Sequence, residues 1–332
     1  MKTQELNCKN ILITGGYGFL GSNYIRHLDQ KIKVTNVDKL GIGSNVENLK
    51  GINLDYNFLK LDLSKSELDL KNYDCVVNFA SETHVDRSIA DPRSFLENNV
   101  WLVFNVLESA RKTNDNIRIL HISTDEVYGE ALEGSFDEGS PYRPSNPYSA
   151  TKVAQEALVL SYVRTYGLNA SIVRPSNNYG PYQMPEKLIP KTTIRALLNL
   201  EIPVYGSGKQ VRSWIHVMDT AKAIDIVLER GKKGEIYNIP GESERENIYV
   251  VKEILKILKK DESLIKYVED RPGHDFRYSI KGDKIKELGF EHTIKFEEGL
   301  KETVEWYVKN ESWWKPLIEK DAKILSEMPW KG

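Results

Sequence analysis

Long apolar runs are missing from this sequence. No stretch of its 332 residues approaches the ~18 apolar residues of a membrane span, and MKTQELNCKN, at the start, has no apolar core of the kind a signal peptide carries. No membrane partner is expected, and the chain reads as cytoplasmic. Cysteine is scarce: Cys8 and Cys75 stand alone, without CxxC spacing or clustered histidines, which argues against a disulfide framework and against a metal site of the zinc type. Both read as small buried hydrophobes. An excess of charge of one sign is lacking too. Lys plus Arg (46) nearly balance Asp plus Glu (48), so no global field points to nucleic acid as a partner.

What is present is a rhythm. Short apolar strands such as NILITG, VTNVD, DCVVNFA and RILHIS alternate with amphipathic stretches such as GSNYIRHLDQ and SFLENNVWLVFNVLESARK. That alternation predicts an α/β fold, a Rossmann-type doubly wound parallel sheet with helices on both faces. SYVRTYG ends a helix on Gly167, and ASIVRP reads as a further buried strand. Beyond about Asn177 the texture changes to Pro, Gly and Tyr-rich turns. We therefore expect a dinucleotide-binding domain over 1–178 and a smaller substrate-binding domain over 179–332, with IYNIP, near 236–240, returning as a strand to the first sheet. VVKEILKILKK and FEEGLKETVEWYVKN have helical periodicity and read as packing elements. WWKPL, near the end, belongs to no recognisable motif.

Three motifs carry chemistry. ILITGGYGFLGS places Gly15, Gly18 and Gly21 three apart at a strand-to-helix junction, where backbone N–H groups can approach a pyrophosphate. Asp38, about 20 residues on at a strand end, suits the ribose hydroxyls of NAD and would repel the 2′-phosphate of NADP. Asp62, at the next strand end, fits either an adenine contact or a cap. PYSATK sets Tyr148 and Lys152 four apart on one helix face. Lowering a tyrosine pKa from about 10 to neutrality takes roughly 4 kcal/mol, the order that one cation at about 4 Å supplies at an effective dielectric near 20. In the third, HISTDEVYGE, the hydroxyl of Thr124 is followed by two carboxylates, Asp125 and Glu126. Like charges in a dry site push one pKa upward, so one acid and one base is a natural state for the pair. A regular strand would point the two carboxylates to opposite faces. Both can reach one sugar only if the strand ends near Ser123 or Thr124.

The glycine motif with the YxxxK pair resembles the extended short-chain dehydrogenase/reductases, over Ile11 to about Tyr307. HISTDEVYG, ASETHVDRSI, SNNYGPYQMPEKLIP and DRPGHDFRY are similar to sequence blocks of the dTDP-glucose 4,6-dehydratases within that superfamily. The resemblance implies NAD-dependent dehydration of a nucleoside-diphosphate sugar, dTDP-glucose, by a homodimer packed through helices of the first domain. Tyr148 would deprotonate the C4 hydroxyl, Glu126 take the C5 proton and Asp125 protonate the departing C6 hydroxyl. Thr124 would bond the C4 oxygen, and Lys152 would hold the nicotinamide ribose and lower the Tyr148 pKa.

For the cofactor the resemblance adds Phe19 and Leu20 in the glycine segment, Lys39, Leu63, Phe79, Ala80, Ser81, Asn98 and Asn178. For the sugar nucleotide it adds Thr83, Asn177, Lys187, Leu188, Pro203, Tyr205, Arg212, Asn247, Arg271 and His274, with Arg212 suited to a bidentate grip on the diphosphate. His84 and Asp86 read as loop-orienting residues. Arg174–Pro175 departs from the dehydratase pattern, and arginine there also occurs in epimerases. A sugar-nucleotide 4-epimerase and a UDP-glucose 4,6-dehydratase are the alternatives within the superfamily. A non-catalytic NAD-sensing module is the alternative outside it; such a module has no use for Tyr148, Lys152 and the acidic pair.

Overall fold

The computed structural model describes residues 8–326 and Lys331. Strand and helix alternate through β1 (Asn10–Thr14), α1 (Phe19–His27), β2 (Lys33–Asp38), β3 (Tyr56–Lys60), β4 (Cys75–Asn78), α2 (Val85–Ala90), α3 (Pro92–Thr113), β5 (Arg118–Ile122), α4 (Pro147–Tyr166) and β6 (Ala170–Pro175). Then follow β7 (Asn177–Tyr179), α5 (Leu188–Leu197), β8 (Ile202–Tyr205), β9 (Val211–His216), α6 (Val217–Arg230), β10 (Ile236–Ile239), β11 (Ser243–Glu246), α7 (Asn247–Leu258), β12 (Ile265–Val268), α8 (Asp283–Glu287), α9 (Phe296–Lys309) and α10 (Glu311–Lys320).

Seven parallel strands form the main sheet in the order β10-β6-β5-β4-β1-β2-β3. Both faces of its inner strands β1, β4, β5 and β6 are covered, which is why these read as largely apolar runs, whereas the edge strand β3 is mostly exposed. Side chains alternate along β1: Ile11 and Ile13 pack in one core with Tyr24, Ile25, Ile224 and Val227 of α1 and α6, and Leu12 in another with Leu102, Val106 and Val159 of α3 and α4. Thus α6 and β10, although they lie past residue 179, complete the first layered core. The strand order reverses between β1 and β4, and in open α/β sheets ligands bind beyond the carboxyl ends of the strands at such a point.

The remaining strands make a three-stranded sheet, β11-β9-β7, and a β12-β8 pair, packed with α5, α7 and α9. Among the described residues no helix is long and apolar enough to cross a membrane. One expectation is corrected. Cys8 and Cys75 are buried, yet they are not independent hydrophobes but a disulfide, with Cα atoms 5.8 Å apart. The parallel pairing of β1 with β4 sets Ile11 beside Cys75 and so brings the residue just ahead of β1 against the start of β4; spacing along the chain carries no trace of that proximity.

Candidate active site

A cleft opens at the carboxyl ends of β1, β2, β4, β5 and β6. The glycine turn forms one wall. Gly15 has φ +71°, and a Cβ there would sit 2.9 Å from the Ala80 backbone, so glycine is required for β1 and β4 to approach this closely. Gly18 caps α1, whose free N–H groups face the cleft. The Asp38 carboxylate, at the end of β2, accepts hydrogen bonds from the Tyr17 and Leu40 N–H groups and from Ser44 Oγ at 2.8–3.1 Å, which fixes its orientation. Beside it Lys39 donates to Asn98 Oδ1 at 2.7 Å and pairs with Glu82 at 3.1 Å. Asp62 accepts from the Ser64 N–H and hydroxyl, which hold its pKa down against burial, so it fixes the turn that follows β3 while still lining the cleft.

Where β5 stops, the chain turns. The strand ends at Ile122, Thr124 caps a 3₁₀ turn over Asp125–Tyr128, and the turn closes on Gly129 at φ +73°. Asp125 and Glu126 therefore leave the strand before its alternation could separate them, and both line the cleft with Thr124 and Tyr148. Burial together with the neighbouring Glu126 raises the Asp125 pKa to about 7. Burial also raises Glu126, opposed by the positive charges of Arg271, Lys187 and Arg212. One oxygen of each carboxylate, Asp125 Oδ2 and Glu126 Oε2, is buried without a protein partner, as is Asn177 Oδ1. Buried polar atoms are ordinarily satisfied, so these mark where a polar ligand fits.

Tyr148 and Lys152 share the buried face of α4, which Asn146 caps with Ser149 as Pro147 enters at the first turn. Burial pushes the Tyr148 phenol well above its ordinary value, with Glu126 and Asp125 adding to the rise. The Lys152 ammonium donates to the Ile122 carbonyl at 2.7 Å, beneath the strand end, and burial lowers its own pKa to about 7 against the pull of Glu156.

Gly15, Gly18, Phe19, Leu20, Gly21, Asp38, Lys39, Asp62, Leu63, Phe79, Ala80, Ser81, Thr83, Asn98, Asn177, Asn178 and Lys187 line the same cleft as the acidic turn. Leu188, Pro203, Tyr205, Arg212, Asn247, Arg271 and His274 lie outside this wall. Three of them converge on two acids. Asp86 of α2 receives Arg271 at 2.7 Å and the Tyr205 hydroxyl at 3.1 Å, while Asp270 receives His274 at 2.6 Å. Arg212 stacks over Tyr278 at 4.3 Å and donates to the Asp275 carbonyl. Asn247 Oδ1 and Arg271 Nε are buried without partners. Sequence reasoning missed several cleft residues, among them Ser44, Glu82, Ser176, Gln183, Met184 and Glu186. The last three sit in the QMPEK segment of the block that pointed to Lys187, so that block carried a signal for them.

The glycine cradle, the oriented Asp38 and the orphaned carboxylate oxygens fit a dinucleotide lying across the sheet with a polar ligand at the acidic turn. Comparison with known proteins identifies the family. The family model described as GDP-mannose 4,6 dehydratase matches residues 12–303. The dTDP-glucose 4,6-dehydratase of Streptomyces niveus is 44% identical over 94% of this chain and 96% of its own length, and that of Neisseria meningitidis serogroup B is 42% identical over 95% and 98%. Among solved structures, the dTDP-glucose 4,6-dehydratase of Streptomyces venezuelae, with NAD bound, superposes with a TM-score of 0.88 at 40% identity, covering 93% of this chain and 99% of that one. The UDP-glucose 4-epimerase of Thermus thermophilus, in complex with NAD, is more distant in sequence, at 28% identity and a TM-score of 0.84 over 91% of this chain and 99% of that one. The chain belongs to the dTDP-glucose 4,6-dehydratase family.

Proposed function

We propose that this chain converts dTDP-glucose into dTDP-4-keto-6-deoxyglucose, using and regenerating NAD. The observation that carries the reading is the pair of carboxylates, Asp125 buried and Glu126 half-buried, on one 3₁₀ turn beside Tyr148. A C6 hydroxyl cannot be eliminated until the C5 hydrogen is acidic, and oxidation of C4 to a ketone makes it so. When bound, NAD supplies the hydride acceptor, the later hydride donor and a positively charged ring.

Tyr148 takes the proton of the C4 hydroxyl, a task that its buried, raised phenol performs only with a positive charge close by. Thr124 bonds the C4 oxygen. Glu126 removes the C5 proton, its charge held by Arg271, Lys187 and Arg212. Asp125, whose pKa burial and the neighbouring Glu126 raise to about 7, delivers a proton to the C6 oxygen, which leaves as water. The hydride taken from C4 ends on C6, and a proton returns to C5. Lys152 steadies the strand end through the Ile122 carbonyl.

The Arg271–Asp86–Tyr205 and His274–Asp270 pairs, with Arg212, Leu188, Pro203 and Asn247, form the nucleotide side of the site, where cationic groups suit a diphosphate. The reading includes a cytoplasmic setting and a homodimer packed through α3 and α4; the exposure of Leu96 and Trp101 on α3 and of Tyr166 on α4 supports the latter. Incubation with dTDP-glucose and NAD, followed by alkali-induced absorbance of a keto sugar, tests the function. A keto sugar is the expected product. A hexose isomer would mark an epimerase, and unchanged substrate would leave only dinucleotide binding; UDP-glucose run in parallel decides the nucleotide.

Burial and the neighbouring Glu126 make the ionised form of Asp125 costly. The folded pKa, about 7, lies above the ordinary 3.8, so the cost is full above pH 7 and fades as the pH falls toward 4. Asp125→Asn is therefore expected to melt at a higher temperature than the parent at pH 8, with the gain shrinking below pH 7. Calorimetric scans across that range check it; an equal or lower melting point at pH 8 would contradict the assignment.

A further inference from the structure

The Trp-rich segment WWKPL has no place in the chemistry above, yet it is built into the cleft from behind. It forms the middle of α10, and Trp313 and Trp314 are both buried. The Trp313 indole N–H donates to Asn48 Oδ1 at 2.9 Å, across 265 positions of sequence. The Asn48 amide in turn donates to the Tyr17 carbonyl at 2.9 Å, within the glycine turn, and the Tyr17 N–H donates to the Asp38 carboxylate at 3.1 Å. A continuous line of buried hydrogen bonds thus runs from the α10 indole to the acid at the end of β2.

The same ring holds the opposite wall. Trp313 meets Tyr182 edge-on at 5.8 Å, and Tyr182, at φ +67°, sits between that ring and the Arg26 guanidinium, which lies 4.4 Å over its face. Arg26 Nε donates to the Asn48 carbonyl at 2.7 Å, which closes the knot. Immediately after Tyr182, the residues Gln183, Met184, Glu186 and Lys187 line the cleft. A non-glycine residue at positive φ persists only where its surroundings hold it there.

We infer that Trp313 is a positioning residue of the dinucleotide site, which acts through Asn48 to fix the glycine turn and through Tyr182 to fasten that turn to the substrate wall. The inference rests on the NAD reading above. Trp314 supplies an internal control. Its indole donates to the Tyr307 carbonyl at 2.8 Å, in the same aromatic cluster but with no link to Asn48.

The test compares NAD affinity by titration calorimetry, kcat at saturating NAD and melting temperature in the parent, Trp313→Phe, Asn48→Ala and Trp314→Phe. Trp313→Phe keeps an aromatic ring and removes the donor; Asn48→Ala breaks the same line at the acceptor and leaves every ring of the aromatic cluster in place. Both are expected to weaken NAD binding about tenfold, as suits a buried polar group left without its partner, with kcat at saturation within about twofold of the parent. Trp314→Phe is expected to lower the melting temperature while NAD affinity stays within about twofold. If the parent binds NAD and Asn48→Ala binds it equally well, the inference fails and the function reading stands. Loss of affinity in Trp314→Phe equal to that in Trp313→Phe would also overturn it. A parent that does not bind NAD removes both.

Discussion

Glu126→Gln is expected to cut net turnover by about 10³-fold while NAD and sugar-nucleotide affinities stay within about twofold, since a positioned acid–base group contributes roughly 10²–10⁴ in rate. The expectation rests on what the amide keeps and what it loses. It is nearly isosteric, and it removes one charge from a site that three cations already face, so the fold and the cleft survive. It cannot accept a proton. Burial and the unpartnered Oε2 leave the native carboxylate poised toward the sugar, whereas the same burial makes any replacement base from solvent a poor one. Because C4 oxidation precedes removal of the C5 proton, a single turnover of the variant should still produce reduced-nicotinamide absorbance, and that absorbance should persist. Rapid-mixing absorbance and steady-state product formation read the two steps separately. Turnover equal to that of the parent would remove Glu126 from the mechanism.

Breaking the ion pair behind the acidic turn should be the costliest change to stability. Arg174 and Glu156 are almost wholly enclosed, with 1% and 0% of their side chains exposed. Arg174 Nε donates to Glu156 at 3.0 Å, and the pair gathers neighbours: Ser123 and Tyr142 donate to Glu156, while Arg174 donates to the hydroxyls of Tyr128 and Tyr142. Ser123 precedes the turn that carries Asp125 and Glu126, and Tyr128 ends it. Glu156→Gln leaves a guanidinium charge buried without its anion, and losses of this kind run to about 3–5 kcal/mol. Urea unfolding should register it. Glu156→Gln combined with Arg174→Met removes both charges and should recover much of the loss. A single variant within about 1 kcal/mol of the parent would show that the charge is already well solvated.

This pair also illustrates where sequence stops being legible. Arg174 stands out in the sequence only as a departure from the dehydratase pattern, because nothing along the chain says that Glu156 lies across from it. By contrast, the alternation of NILITG, VTNVD, DCVVNFA and RILHIS with helical stretches encodes the sheet directly, since period and burial are local properties. The position of the acidic turn was legible for a similar reason. A hydroxyl and two carboxylates directly after an apolar strand cannot all face one sugar unless the strand ends, and it ends at Ile122. The gathering of Arg271 and Tyr205 on Asp86 joins residues more than a hundred positions apart through tertiary packing alone. The Cys8–Cys75 bond and the Trp313–Asn48 contact escaped for the same reason. Spacing likewise places Lys152 on the right face of the helix without saying that its ammonium is held by the Ile122 carbonyl.

The central claim is that one site oxidises C4, eliminates water across C5 and C6, and hands the C4 hydride to C6. Turnover of dTDP-glucose deuterated at C4, in ordinary water with NAD, tests it directly by NMR of the product. The account predicts dTDP-4-keto-6-deoxyglucose with the deuterium in its C6 methyl group and, in a companion run in D2O, solvent deuterium at C5. Deuterium retained at C4 of a hexose isomer, or a C6 methyl labelled from solvent, would contradict it.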